Sequence, residues 1–152
     1  MQREIHFYWQ EACASAAQSV AETLKSIFPV NVIMAAALEP TRQAFDTSRG
    51  QYDAAWLLRE LPGPDAIWLI KEDLTYTGHD FLYGAARLGF AVVSSARIGF
   101  GEDLHKEACH ELGHLLGLEH CSNSCLMNPS QNKRKLAAKP LLLCPACYDL
   151  LR

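Results

Sequence analysis

The chain has 152 residues, of which 49% are hydrophobic and 20% are charged, and its formal net charge is −3. This length and apolar content suit a single domain with a sizeable core. The weak negative charge gives no reason to expect a nucleic acid or an anionic membrane as a partner, and no apolar run is long enough to span a bilayer.

Along the chain, β-rich segments alternate with helical ones, which predicts an α/β fold with a twisted, mainly parallel mixed sheet of about four strands, covered by helices. The predicted strands lie at 3–9, 30–38, 66–70 and 90–98, and the predicted helices lie at 11–28, 51–61 and 102–116. The continuous apolar run at 30–38 favours a strand that is buried on both faces. No long helix precedes the strand at 90–98, so we expect it to be an antiparallel edge strand. Residues 39–50 and 130–139 are rich in turn-forming or basic residues and are predicted to be loops.

The most specific pattern is HELGHLLGLEH at residues 110–120. His110 and His114 are four residues apart, so on a helix their imidazoles face the same side and can bind one metal ion. Glu111 follows the first histidine and can act as a general base, which takes a proton from the metal-bound water and passes it to the leaving amine. This spacing is typical of a zinc site that hydrolyses peptide bonds.

A turn is needed to bring a third histidine to the same metal. A helix that continued past His114 would carry His120 away from the metal-binding face. Gly117 can adopt a positive φ and end the helix, so that His120 returns as the third ligand. Three protein ligands leave the fourth position open for water, as a catalytic zinc requires.

Four cysteines form a second pattern, C-x3-C followed after a long gap by C-x2-C. They are Cys121, Cys125, Cys144 and Cys147. Four thiolates at this spacing suit a closed tetrahedral zinc, which has no open position and is therefore structural. The alternatives are two disulfides or four unrelated thiols. The N-terminus has no secretory signal, so we expect a cytoplasmic protein, and a reducing compartment disfavours the disulfides. The two patterns together predict two zinc ions per chain, one catalytic and one structural.

The remaining histidines and cysteines have no such spacing. His6, His79 and His105 are expected to be ordinary surface or core histidines. Cys13 and Cys109 are expected to be buried thiols that pack as small apolar side chains.

The combined pattern resembles that of the archaemetzincins, a branch of the metzincin zinc peptidases. HELGHLLGLEH is followed by Cys-Ser-Asn-Ser-Cys-Leu-Met and then by Cys-Pro-Ala-Cys, and segments that resemble the family extend over most of the chain. The step from Cys121 to Cys125 and the gap from Met127 to Cys144 are each one residue shorter than is usual in the family.

The resemblance implies a metzincin-like fold and roles for further residues. Met127 would be the methionine of the Met-turn, an apolar floor beneath the three histidines. A peptide substrate would lie along the edge strand predicted at 90–98, whose unpaired backbone groups could add a substrate strand. A single catalytic domain would span 1–152. It would consist of an N-terminal subdomain at 1–117, which ends with the active-site helix, and a C-terminal subdomain at 118–152, which holds the Met-turn and the cysteine site.

Three functions are compatible with these patterns. The first is a zinc peptidase, either an aminopeptidase or a restricted endopeptidase. The second is a zinc-stabilised module that binds peptides or proteins with little or no turnover; Glu111 favours the peptidase, since a purely structural site needs no base. The third is a zinc-ribbon nucleic-acid binder, against which the net charge of −3 and the lack of a basic, aromatic-lined face both argue.

Overall fold

The structure is a computed structural model that describes residues 2–152. The described residues form nine strands, which are β1 (Arg3–Trp9), β2 (Val30–Ala37), β3 (Phe45–Asp46), β4 (Gln51–Asp53), β5 (Ala66–Ile70), β6 (Leu74–Tyr76), β7 (His79–Leu82), β8 (Gly84–Arg87) and β9 (Phe90–Ser94). Their α-helices are α1 (Ala14–Ile27), α2 (Ala54–Glu60), α3 (Glu102–Leu115), α4 (Lys133–Ala138) and α5 (Pro145–Asp149). Within residues 2–152, no helix has both the length and the hydropathy that a membrane crossing requires.

A five-stranded sheet forms the centre of the fold, in the order β2–β1–β5–β9–β8. Its first four strands are parallel to one another, and β8 runs antiparallel to β9 at one edge. The predicted mixed sheet with an antiparallel edge strand is confirmed, and the sheet has one strand more than the sequence indicated.

The predicted position of that edge strand, at 90–98, is wrong. β9 ends at Ser94 and lies between β5 and β8, parallel to the first and antiparallel to the second. The edge strand is β8, which a tight turn at 88–89 joins to β9, with Gly89 at φ +87°. The sequence of β8 is Gly-Ala-Ala-Arg, which lacks the β-branched and aromatic residues that mark a strand. Only the pairing with β9 reveals it.

The two faces of the central sheet pack against different helices. All five residues of β5 are buried, and successive side chains point to opposite faces. Ile67 and Leu69 belong to the core that includes α1 and α3, whereas Trp68 and Ile70 belong to the core that includes α2. β8 contacts both α2 and α3. Both helices therefore lie beside this edge of the sheet.

β2 is less buried than its apolar sequence suggested. It lies at the other edge of the sheet, and α1 covers only one of its faces. Val32 and Met34 pack on the core beneath α1, while Ile33 on the opposite face is 37% exposed. The prediction of burial on both faces at 30–38 is therefore wrong, because an apolar run does not tell whether a second layer is present to cover it.

A second, smaller sheet has the order β3–β4–β6–β7 and was not predicted. Its strands have two to four residues, which is too short for a hydrophobic period to be recognised. Arg97 anchors this sheet: its Nε and Nη2 donate to the two carboxylate oxygens of Asp73, at 2.8 and 2.9 Å. The same guanidinium lies 3.9 Å from the centroid of the Phe81 ring on β7. These contacts tie the β6–β7 hairpin to the segment that follows β9.

The C-terminal residues 118–152 contain two short helices, so the loop predicted at 130–139 is wrong in its central part. Asn132 caps α4 by accepting a hydrogen bond from the backbone N–H of Lys135 at 2.9 Å. Leu136 on this helix is fully buried. A helix of six residues makes fewer than two turns, so one apolar residue among basic ones does not produce a recognisable helical pattern in the sequence.

Candidate metal centres and active-site cleft

The three histidines of the HELGHLLGLEH segment converge, although only the first two lie on α3. The ligand nitrogens of His110, His114 and His120 all lie within 4.8 Å of one another. The Nε2 atoms of His110 and His114 are 3.1 Å apart. A tetrahedral zinc with Zn–N distances of about 2.0–2.1 Å requires N···N separations of about 3.3 Å, so the cluster fits one zinc ion.

Backbone carbonyls set the tautomers of the two helical histidines. The Nδ1–H of His110 donates to the Leu126 carbonyl and that of His114 donates to the Leu118 carbonyl, both at 2.8 Å. Each Nε2 therefore keeps a lone pair that can face a metal. Burial, assisted by the nearby Lys139 ammonium, lowers the pKa of His110 to about 3, and burial also lowers the pKa of His114. Both rings are thus neutral at neutral pH, which is the form that binds zinc.

α3 ends in a Schellman turn at Gly117, whose φ is +101°. The N–H of Leu118 donates to the Gly113 carbonyl at 2.8 Å, and the N–H of Gly117 donates to the His114 carbonyl at 2.9 Å. This positive φ is strained for any residue with a side chain, so glycine allows the chain to reverse here. The reversal brings the His120 ring to 4.8 Å from the His114 ring. The turn occurs where the sequence predicted it.

Glu111 lies beside a second buried acid, Glu107, one helical turn earlier on α3. Burial raises the pKa of Glu107, and burial together with the adjacent Glu107 carboxyl raises the pKa of Glu111 well above its usual value. Gly84 on β8 makes room for both: a Cβ at Gly84 would lie 2.9 Å from Glu111 Cγ and 3.0 Å from Glu107 Oε2. Glu107 and Gly84 were not predicted as site residues, although the four-residue spacing of the two acids is visible in the sequence.

Met127 packs on α3 between the two helical histidines. Its side chain is fully buried, and a Cβ on Gly113 would overlap its Sδ and lie 2.9 Å from its Cε. Gly113 therefore lets Met127 approach the backbone of α3, which a larger residue than glycine would prevent on steric grounds. This position agrees with that expected of a Met-turn methionine.

The four cysteines of the second pattern also converge, with all four Sγ atoms within 4.8 Å of one another. Cys121 Sγ and Cys144 Sγ are 3.8 Å apart, which matches the S···S separation of about 3.8 Å across a tetrahedral zinc with Zn–S distances of about 2.3 Å. The backbone N–H groups of Met127 and Cys144 point at Cys125 Sγ, at 3.4 and 3.3 Å. The backbone N–H of Cys147 is the main cause that lowers the pKa of Cys144 to about 6. Burial raises the pKa of Cys125, and its two backbone donors act against that shift by favouring the thiolate, the form that binds zinc. The shortened step from Cys121 to Cys125 does not prevent the four Sγ atoms from converging.

The other histidines and cysteines lie outside both clusters. Cys13 and Cys109 are buried thiols, as predicted, and burial raises the pKa of both. His79 is exposed, while His6 and His105 are half-buried.

The histidine cluster and Glu111 open onto a cleft of about 1000 Å³. Edge strand β8 and the β7 strand form one wall, residues 129–131 contribute another part, and α2 supplies Arg59. Because β8 ends the central sheet, the backbone groups on its outer side have no strand partner among residues 2–152. The cleft therefore combines a candidate metal site, a buried acid and a free sheet edge.

This combination of fold and site defines the class of zinc metallopeptidases. Comparison with known proteins then identifies the family. The sequence profile described as Peptidase family M54 matches residues 18–152. The chain therefore belongs to peptidase family M54, the archaemetzincins.

Individual relatives support the same assignment. The archaemetzincin of Archaeoglobus fulgidus is 35% identical over 143 residues, covering 88% of this chain and 89% of that protein. The archaemetzincin of Halobacterium salinarum is 31% identical over 157 residues, covering 88% and 90%. Among solved structures, the A. fulgidus archaemetzincin complexed with malonate has a TM-score of 0.87 at 31% identity, covering 96% of this chain and 98% of that chain. A zinc-dependent peptidase from Methanocorpusculum labreanum has a TM-score of 0.84 at 26% identity, covering 97% and 100%.

The substitution Gly113→Ala tests the close approach of Met127 to α3. The added methyl group overlaps the methionine sulfur, so we expect the free energy of unfolding to fall by about 1–3 kcal/mol in a urea titration. We also expect weaker zinc binding at the histidine cluster, because the helix and Met127 must separate.

Gly63→Ala is the matched control, since a Cβ at Gly63 would meet nothing within 4 Å. Its free energy of unfolding should stay within about 0.5 kcal/mol of the parent. An equally stable Gly113→Ala variant would show that Met127 moves aside without cost, and the steric account would be wrong.

Proposed function

We propose that this chain hydrolyses peptide bonds with a zinc ion held by His110, His114 and His120, and with Glu111 as general base and acid. The observation that carries the proposal is the convergence of three imidazoles next to a buried carboxyl at the wall of an open cleft. Three ligands of this type leave one zinc position open, which distinguishes a catalytic site from a structural one.

A zinc ion at this site would lower the pKa of a water molecule and polarise the carbonyl of the scissile bond. Glu111 takes a proton from the attacking water and delivers it to the leaving nitrogen. Its environment supports this role, because burial and the neighbouring Glu107 raise the pKa of Glu111 well above its usual value, and a carboxyl with a raised pKa holds the proton taken from water more readily until the leaving nitrogen accepts it.

The proposed substrate is an extended peptide that lies along β8. An edge strand offers unpaired N–H and C=O groups that can pair with a peptide backbone, independently of its side chains. β8 is suited to this role because Gly84, at its start, lies directly against Glu111 and Glu107. A peptide paired with this strand would pass close to the proposed base.

The proposal includes a second, structural zinc at Cys121, Cys125, Cys144 and Cys147. Its donor set is closed, and its role is to stabilise the C-terminal subdomain at 118–152 against the N-terminal subdomain at 1–117. The cysteine site also supports the catalytic one, because Cys121 directly follows His120 and its N–H donates to the Met127 carbonyl at 2.9 Å.

Metal analysis of purified variants tests the two-zinc arrangement. We expect two zinc ions in the parent chain and one in His114→Ala, since two remaining imidazoles bind zinc too weakly to survive purification. Cys144→Ser should lose the structural zinc and also bind the second ion more weakly, because the segment that presents His120 is no longer held.

His79→Ala removes an exposed histidine outside both clusters and serves as the control, with two zinc ions expected. One zinc in the parent chain that persists in His114→Ala would contradict a zinc at the histidine cluster. Unchanged affinity of the histidine cluster in Cys144→Ser would contradict the proposed link between the two sites.

The substitution Glu111→Gln tests catalysis separately from metal binding. We expect it to keep two zinc ions and to lose at least about 100-fold in hydrolysis, the lower range for loss of a general base. A mixture of extended peptides analysed by mass spectrometry measures the products: single residues indicate aminopeptidase action, and internal fragments indicate endopeptidase action.

Hydrolysis that survives in Glu111→Gln would show that another group is the base. If the parent chain binds peptides of the mixture but yields no products, the alternative of a zinc-stabilised binding module is supported instead.

A further inference from the structure

Lys139 is a buried lysine at the end of the segment 130–139, for which the sequence predicts a loop. It directly follows α4, and only 7% of its surface is exposed. Its Nζ donates to the Leu126 carbonyl at 2.9 Å and to the Asn128 carbonyl at 3.0 Å. These two carbonyls flank Met127, so the ammonium holds the turn that carries this methionine on both sides.

Burying the Lys139 ammonium costs free energy, so the contacts that compensate for this cost indicate its role. Removing a charge from water is unfavourable unless hydrogen bonds or an opposite charge compensate. Among residues 2–152, no carboxylate lies within salt-bridge distance of Lys139. The buried carboxyls of Glu107 and Glu111 are the main charges that act on it from further away. Its direct partners are backbone carbonyls, whose positions it consequently fixes.

One of those carbonyls also orients a proposed metal ligand. The Leu126 oxygen accepts the Nδ1–H of His110 at 2.8 Å and a proton of Lys139 Nζ at 2.9 Å. The 3.3 Å between Lys139 Nζ and His110 Nδ1 is the separation of two donors that share this one acceptor. A shift of the Leu126 carbonyl would therefore rotate or release the His110 ring.

We propose that Lys139 is a positioning residue for the metal-binding histidine His110. Its ammonium holds the Leu126 and Asn128 carbonyls, and the Leu126 carbonyl in turn fixes the tautomer and the ring orientation of His110. Partners of this kind, one step removed from the metal, change metal affinity by about 10- to 100-fold when they are lost. The inference rests on the proposed function in one respect, namely that His110 is a zinc ligand.

The chain provides a matched control in Lys106, a second buried lysine. Only 4% of Lys106 is exposed, and its Nζ donates to the Ala137 carbonyl at 2.8 Å and pairs with Glu102 at 3.2 Å. Lys106 ties α3 to the C-terminal residues, but it makes no hydrogen bond to a carbonyl that orients a histidine. A purely structural role for Lys139 predicts the same consequences for both lysines.

Zinc titration in competition with a chelator compares Lys139→Met with Lys106→Met. We expect Lys139→Met to bind zinc at the histidine cluster at least about 10-fold more weakly while its cysteine site stays loaded, and Lys106→Met to keep the parent affinity. Lys139→Arg retains the charge and the donors and should fall closer to the parent than Lys139→Met does. Equal affinities in the parent and Lys139→Met, or equal losses in the two methionine variants, would overturn the proposal.

A second measurement needs no metal at the histidine cluster. In protein that carries zinc only at the cysteines, the His110 Nδ1–H should give a slowly exchanging ring-proton signal in NMR spectra, because it is buried and hydrogen-bonded. We expect this signal to be lost or broadened in Lys139→Met and unchanged in Lys106→Met. A signal that persists in Lys139→Met would contradict the positioning role.

The two measurements separate the possible failures. If the parent chain binds no zinc at the histidine cluster, the proposed function fails, and the ring-proton comparison alone still decides whether Lys139 orients His110. If the parent binds zinc there and Lys139→Met matches it in both measurements, only the positioning role is wrong.

Discussion

The reversal of the chain at Gly117 is the constraint on which both candidate metal centres depend. Without a positive φ at this residue, α3 would continue and carry His120 away from the other two histidines. The same turn places the Leu118 carbonyl against His114 Nδ1 and so orients the second imidazole. It also directs the chain toward Cys121, the first cysteine of the other cluster. One backbone conformation thus supplies a candidate ligand, orients another and begins a second site.

The short segment 125–128 connects the two centres through backbone hydrogen bonds. The carbonyl of Leu126 accepts from His110 and from Lys139, while the N–H of Met127 points at Cys125 Sγ. These two backbone groups therefore have partners in one of the clusters or in a residue that supports one. A structural metal in such a place would stabilise more than the C-terminal subdomain, because the backbone it holds also orients the histidine cluster.

The cleft depends on contacts of a different kind. Its wall is built from β8 and the small second sheet, whose strands are too short to be stable alone and are held by side chains such as Arg97. Gly84 lets β8 approach the buried Glu107 and Glu111 closely enough to exclude a methyl group. The free backbone groups of β8 and the carboxyls of Glu107 and Glu111 therefore lie in one small region.

The sequence alone was sufficient where the geometry is local. The four-residue spacing of His110 and His114, the glycine that ends their helix and the paired cysteines are all features whose structural consequence follows from a few consecutive residues. The tertiary structure decided what depends on segments far apart in the chain: the edge position of β8, the exposure of β2, the helix α4 and the burial of Lys139. Those features have no period or spacing of their own, because neighbours across the sheet and across the core determine whether a strand is an edge and whether a charge is buried.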